Sequence, residues 1–341
     1  MSITIKDIAK KANVSPSTVS RVLNDSGYVK EETRLKINEA IKEMNYTPSA
    51  IARSLSRRET NTIGVIVPDI TNGYFSEIIQ GISRIAEAND LNIIFFNTDN
   101  SLEKEIKALK ILKEQRIQGI IMTPGFGAEK VNEIYKTTIE SLNCPIILVA
   151  ADIKGIYLNG VFVDNISGAF ETTNLLIKEG HKKIGIMLGF VGSEPMSERL
   201  TGYKKSLKLN NIKFDEKYVY YSDFTMETSY DIAKKIMKNV DKPTALIVFT
   251  NRMTMGVIKA IEELDLKVPK DISLIGYDKN ELLDIFGLNL TYIDECPEEL
   301  GVKSMKILCD IINNKSYDEV RRVTIVPQIK VRGSEKRIMI D

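Results

Sequence analysis

The chain has 341 residues, 43% apolar and 27% charged, a composition that buries a proper core and excludes a disordered or low-complexity chain. That length exceeds one ordinary domain and suits a small domain joined to a two-lobed one. The net charge is only +1, yet residues 1–60 carry 11 Lys and Arg against 7 Asp and Glu. A basic head therefore precedes a slightly acidic body, and only the head is expected to meet nucleic acid. Cys144, Cys296 and Cys309 form no C-x-x-C pair and no disulfide framework, which fits a reducing cytoplasm. Charges run through residues 1–14, against a signal peptide, and no apolar run reaches the roughly 18–20 residues of a membrane span. The expectation is a cytoplasmic protein with no membrane partner.

In chain order, Thr4 caps a first helix from Ile5, with Asp7 placed for a capping box and Ile5, Ile8, Ala9 and Ala12 on one face. Asn13-Val14 turns the chain. Ser15 caps a second helix with Pro16 at its first position, and Val19, Val22 and Leu23 form its inward stripe. Asn24-Asp25-Ser26-Gly27 ends it. A third helix runs from about Glu31 to Met44, with Leu35, Ile37, Ile41 and Met44 expected in the core. After Pro48 comes a short helix-compatible segment, too short to hold alone in water.

From Thr62 the pattern becomes strand, helix, strand. Ile/Val-rich runs at 63–67, 93–96, 119–122 and 146–149 alternate with amphipathic helical stretches. The rhythm repeats at 160–163, 184–188, 218–221, 245–249 and 272–275. This predicts two open parallel sheets covered on both faces, hence two doubly wound lobes with a cleft between them. The expected boundaries are a helix-turn-helix domain at 1–47, a hinge and linker at 48–60, and a ligand-binding and dimerisation body at 61–341. Within that body, one lobe takes about 61–161 and 292–322, the other about 162–291 and 323–341.

In a helix-turn-helix the second helix enters the major groove with its N-terminal residues at base edges. With the apolar stripe inward, that helix presents Ser17, Arg21 and Asn24, flanked by Pro16, Thr18 and Ser20. Arg21 can pair bidentately with a guanine, and Ser15 opens the helix for a phosphate. A solvated polar face on a small helical domain is the plain alternative. The string from Thr4 through Asn24 closely resembles the helix-turn-helix of the lactose-repressor (LacI/GalR) family, and Tyr46-x-Pro48-x-x-x-Ala52-Arg53-x-Leu55 resembles that family's hinge helix. The resemblance implies a homodimer on double-stranded, pseudo-palindromic operator DNA. Leu55 would wedge into the minor groove, Ala52 would sit on its floor, and Ser49 would cap the hinge helix.

The same resemblance covers the body and implies a fold like the periplasmic sugar-binding proteins. Matching segments include Pro68-Asp69-x-x-Asn72-x-x-Phe75, Asp164-Asn165-x-x-Gly168, Arg199-x-x-Gly202-Tyr203 and Gly276-Tyr277-Asp278. It implies an effector site in which Asn72, Tyr74 and Phe75 face the cleft, Arg199 donates to ligand oxygens, and Phe224 closes the pocket. Asn251, Asp278 and Asp164 would hydrogen-bond ligand hydroxyls. Three positions depart from the family: Asn251 where Asp is common, an added positive charge at Arg252, and Glu295 where Gln is common. These point toward a phosphorylated or anionic ligand, unless Arg252 simply faces solvent.

The expected function is a DNA-binding regulator, read as a repressor, whose operator affinity follows a small effector, a sugar or sugar phosphate. A catabolite regulator dependent on a corepressor protein is one alternative, and a free sugar-binding protein another. No enzyme is expected: His181 is read as a turn residue, and there is no catalytic triad, metal-ligand cluster or Walker A motif. No cofactor and no metal are expected.

Overall fold

The structure is a computed structural model that describes residues 3–23, 26–46, 60–125, 133–314 and 319–338. The chain divides into two compact units, residues 1–60 and 61–341.

In the first unit, α1 (Ile5–Lys11), α2 (Pro16–Leu23) and α3 (Glu31–Glu43) enclose a small core of Ile8, Ala9, Val19, Val22, Ile37 and Ala40. The Asp7 carboxylate accepts from the Thr4 amide at 2.8 Å and the Thr4 hydroxyl at 2.7 Å, which fixes the start of α1. Asn13 adopts φ 55° between α1 and α2, the left-handed conformation that asparagine tolerates in a tight turn. Leu35, expected in the core, is instead 56% exposed. It lies two residues from Ile37, about 200° around the helix, so both cannot face inward.

In the second unit, β1 (Thr62–Val67), β2 (Asn92–Asn97), β3 (Gly119–Met122), β4 (Ile146–Val149), β5 (Asn159–Val163) and β11 (Arg322–Ile325) form one parallel sheet, in the order β11-β5-β4-β3-β1-β2. The other sheet holds β6 (Ile184–Leu188), β7 (Val219–Tyr221), β8 (Ala245–Val248), β9 (Ser273–Tyr277), β10 (Thr291–Asp294) and β12 (Gln328–Lys330), in the order β12-β10-β9-β8-β6-β7. The two orders match strand for strand. They differ at one edge, where β12 runs antiparallel to β10 while β11 runs parallel to β5.

Among the described residues the chain changes lobe three times. The changes fall near Asp164, Glu295–Cys296 and Val326–Pro327, three to five residues beyond the expected positions, because β5, β10 and β11 complete their ladders first: Val163 pairs with Ile325, and Asp294 with Gln328.

Helices cover both faces. Around the first sheet are α4 (Gly73–Glu87), α5 (Leu102–Glu114), α6 (Glu133–Glu140) and α12 (Pro297–Asn314). Around the second are α7 (Asn165–Lys178), α8 (Glu194–Leu209), α9 (Met226–Lys238), α10 (Asn251–Glu263) and the short α11 (Glu281–Ile285). α4 and α12 meet through Gly81 and Gly301. A Cβ on Gly81 would come within 2.2 Å of the Glu298 carbonyl oxygen, and one on Gly301 within 2.1 Å of that of Ile78. This contact ties the helix after the second crossover to the helix that opens the cleft.

Candidate nucleic-acid face and ligand cleft

On α2 the burial of Val19 and Val22 turns Ser15, Pro16, Ser17 and Arg21 outward, with Thr18 and Ser20 half-exposed. Ser15 Oγ accepts from the Thr18 amide at 3.2 Å and lies 2.7 Å from Ser17 Oγ and 2.8 Å from Thr18 Oγ1. The start of the helix is thus a fixed cluster of hydroxyls beside an outward arginine, a surface able to meet phosphate oxygens and base edges. Asn24, Ser49, Ala52 and Leu55 lie outside the described residues.

In the body a cavity of about 210 Å³ opens between the lobes. Its walls come from the C-terminal ends of strands in both sheets, where open α/β folds place their ligands. The first lobe supplies Asp69, Asn72, Tyr74 and Phe75 after β1, Asn100 after β2 and Thr123 after β3. Asn72 caps α4 by accepting from the Tyr74 amide at 3.2 Å, and the Tyr74 and Phe75 rings meet edge-on at 5.2 Å. The result is a mostly apolar wall on a helix start.

The second lobe supplies a buried charge network. Arg199 on α8 is only 6% exposed. Its Nε donates to Asn165 Oδ1 at 2.8 Å, one Nη to the Phe249 carbonyl at 2.7 Å, and the other Nη to Glu295 Oε1. The guanidinium also stacks 4.2 Å from the Tyr277 ring centroid. Burial works against its charge, but the Glu295 carboxylate, together with Tyr277, Tyr74 and Asp278, outweighs this and raises its pKa. Asp278 follows β9, and its Oδ1 is buried without a hydrogen-bond partner. Burial first, then the nearby Glu295, pushes its carboxyl well above the usual range, partly offset by Arg199. Burial and Glu295 likewise hold the Tyr74 phenol un-ionised.

Backbone conformation marks the same place. Ala150, Phe224, Asp278 and Cys296 have φ of 65°, 68°, 61° and 55°, a region that non-glycine residues adopt at a cost and that clusters at functional sites. Phe224 lies over Gly189, where an added Cβ would sit 1.8 Å from the ring, and its ring meets Phe190 edge-on at 5.2 Å.

Six of the eight expected cleft residues line this cavity: Asn72, Tyr74, Phe75, Arg199, Phe224 and Asp278. Two do not. Asp164 spends its carboxylate capping α7, accepting from the Ser167 amide at 2.9 Å and the Ser167 hydroxyl at 2.7 Å. Its neighbour Asn165 reaches the cavity instead. The Asp-x-x-Ser spacing in the sequence already signals that cap. Asn251 opens α10 and accepts from Asn280 Nδ2 at 2.8 Å, bracing the loop after β9 from outside the cavity. Its neighbours Thr250 and Arg252 line the cavity in its place.

Arg252 is not left to solvent: it donates to Asp69 Oδ2 at 2.7 Å, joining the two lobes at the cleft. Asp69 is held below the usual carboxylate range, because bonds from Thr71 and Arg252 overcome its partial burial. His181 is 1% exposed and bridges Thr244 Oγ1 at 2.9 Å and the Glu335 carbonyl at 3.2 Å, so its role is packing. Among the described residues no group of side chains could hold a metal, and no helix is long and apolar enough to cross a membrane.

Comparison with known proteins agrees with the fold of both units. A family model for bacterial regulatory proteins of the lacI family matches residues 4–49, and one for a periplasmic binding protein-like domain matches residues 173–335. The chain is 34% identical to the HTH-type transcriptional regulator RegA of Clostridium saccharobutylicum, over 94% of this chain and 95% of that one. It is 33% identical to catabolite control protein A of Priestia megaterium, over 98% and 100%. A lac repressor dimer solved with operator and the anti-inducer ONPF superposes with a TM-score of 0.85 at 24% identity, covering 99% of this chain and 100% of that one, and shares its fold. The chain therefore belongs to the lacI family of bacterial transcriptional regulators, with a helix-turn-helix head and a two-lobed periplasmic-binding-protein-like body.

Proposed function

We propose that this chain is a cytoplasmic repressor that binds a pseudo-palindromic operator as a homodimer and changes its operator affinity when a small effector occupies the cleft between the lobes. The observation that carries this reading is the cleft itself: a buried, internally bonded Arg199 beside a carboxylate oxygen of Asp278 with no partner. An unpartnered buried acceptor is costly, and a ligand hydroxyl relieves the cost. Ligand contacts to both walls stabilise one lobe arrangement over another, and that difference is what an effector can transmit.

The α2 face would read the operator, with Ser15, Pro16, Ser17, Thr18, Ser20, Arg21 and Asn24 at the groove and Ser49, Ala52 and Leu55 in the hinge. The dimer reading finds support in Leu282, Ile285 and Phe286, which are 55%, 75% and 82% exposed around α11 and offer an apolar patch to a second copy.

The test begins with an operator selected from random duplex and a titration of its salt dependence. Arg21→Ala should then weaken the selected operator by roughly 1–3 kcal/mol and relax preference at one position per half-site. Equal losses on all sequences would make Arg21 a phosphate contact instead.

A further inference from the structure

Among the described residues lining the cleft, four are carboxylates, Asp69, Asp223, Asp278 and Glu295, and two are arginines, Arg199 and Arg252. Both cations are already engaged. Arg252 donates to Asp69 across the lobes, and Arg199 to Glu295, which is 4% exposed. Asp223 accepts from the Thr225 amide and from the Thr225 and Thr228 hydroxyls. Asp278 keeps a buried oxygen with no donor, and Thr123 Oγ1 in the cavity wall is likewise without a partner.

An anion entering this cavity would find no unpaired cation and would add a charge of the same sign as the buried Glu295 carboxylate. To recruit Arg199 it would have to displace a buried carboxylate that has nowhere to go. Glu295 sits where the chain crosses between lobes, just before Cys296 at φ 55°. Like charges at close range in a low-dielectric site repel strongly, and a buried ion pair resists losing either member. A hydroxyl group meets the opposite reception, since it brings the donor that Asp278 lacks.

We propose that Glu295 sets the ligand class of the cleft: by neutralising Arg199 it excludes phosphate- and carboxylate-bearing compounds and leaves Asp278 to receive a hydroxyl from an uncharged polyhydroxy ligand. The proposal rests on the cleft being the effector site. It reverses the expectation drawn from Arg252 and Glu295 in the sequence. Arg252 spends its charge on Asp69, and Glu295 cancels the cation that a phosphate would need.

The experiment uses the full chain and Glu295→Gln, by thermal shift and calorimetry at neutral pH and fixed ionic strength. The probes are inorganic phosphate and the matched pairs glucose with glucose 6-phosphate and ribose with ribose 5-phosphate. The parent should show no phosphate stabilisation beyond that of chloride, and no phosphorylated sugar should bind it more tightly than its plain partner. Glu295→Gln frees the Arg199 charge and should gain about tenfold or more for the phosphate-bearing probes. The proposal is overturned if phosphate stabilises the parent, if a phosphorylated sugar outbinds its plain partner there, or if the folded variant gains nothing. Should Glu295→Gln fail to fold, the parent measurements decide alone. A failure of the effector reading would look different: operator affinity unchanged by a compound that calorimetry shows to be bound.

Discussion

The two lobes share a strand order and differ in what they bring to the cleft. The first offers rings and a helix cap, Tyr74, Phe75 and Asn72, backed by the aliphatic core beneath. The second offers a charge network, Arg199, Asn165, Glu295 and Asp278, held by side chains from crossovers and strand ends. One wall therefore supplies area and the other polarity and orientation. Contact with both is what lets a ligand favour one lobe arrangement, since a ligand held by one wall alone would bind without shifting anything.

The asymmetry predicts different costs for breaking each wall. The largest belongs to Arg199. Arg199→Ala would leave the Glu295 carboxylate buried without a counter-charge, and the body should lose about 3–5 kcal/mol in urea unfolding. A loss below about 1 kcal/mol would mean that the network is solvated and not a rigid wall.

On the apolar side, Tyr74→Ala removes a half-buried ring at the head of α4. It should weaken binding of a cleft ligand by about 1–2 kcal/mol in calorimetry while changing the unfolding midpoint less than Arg199→Ala does.

Asp278→Asn should act in the opposite direction on the ligand-free protein. Burial, reinforced by Glu295, raises the native Asp278 pKa above its unfolded value. The native state thus holds a proton that the unfolded state releases, and Asp278 costs stability progressively as pH rises from about 4 through that raised value. Asparagine has no proton to lose. The variant should be more stable than the parent at pH 8 by on the order of 1 kcal/mol, with the difference shrinking toward pH 4. A difference that grows as pH falls would contradict the assignment.

The smallest effect is at the cleft mouth. The Arg252–Asp69 pair has side chains 50% and 25% exposed, so Arg252→Ala should change stability by less than about 1 kcal/mol. Its signature is in domain motion: scattering from the ligand-free variant should report a more open body than the parent, and equal profiles would show that the pair does not hold the lobes.

Local signals in the sequence carried most of the fold. The capped starts of α1 and α2, the Ile/Val runs and the repeated strand–helix rhythm each act over a few residues, and each recurs in the structure. Cleft residues at strand ends were legible for the same reason, because topology puts those ends on one side of each sheet. What was not legible depends on distant partners. Arg199 and Glu295 are 96 residues apart, and Asp69 and Arg252 are 183 apart. Without those pairings, Arg252 and Glu295 read as free charges that hint at an anionic ligand, whereas both are already matched. Asp164 misled differently: a carboxylate at a strand end suits a ligand or a helix cap equally, and its neighbour Ser167 decides for the cap. Leu35 shows the limit of composition, since an apolar residue off the helix stripe stays outside.

The most direct test of the account is reciprocal linkage between the cleft and the operator. Take a plain sugar that calorimetry shows to bind the full chain, and titrate the selected operator with and without it, in the parent and in Asp278→Ala. The account predicts that the sugar changes parental operator affinity by roughly 5–150-fold, that operator changes sugar affinity by the same factor, and that Asp278→Ala shows neither change. An Asp278→Ala protein that still responds to the sugar like the parent would contradict it.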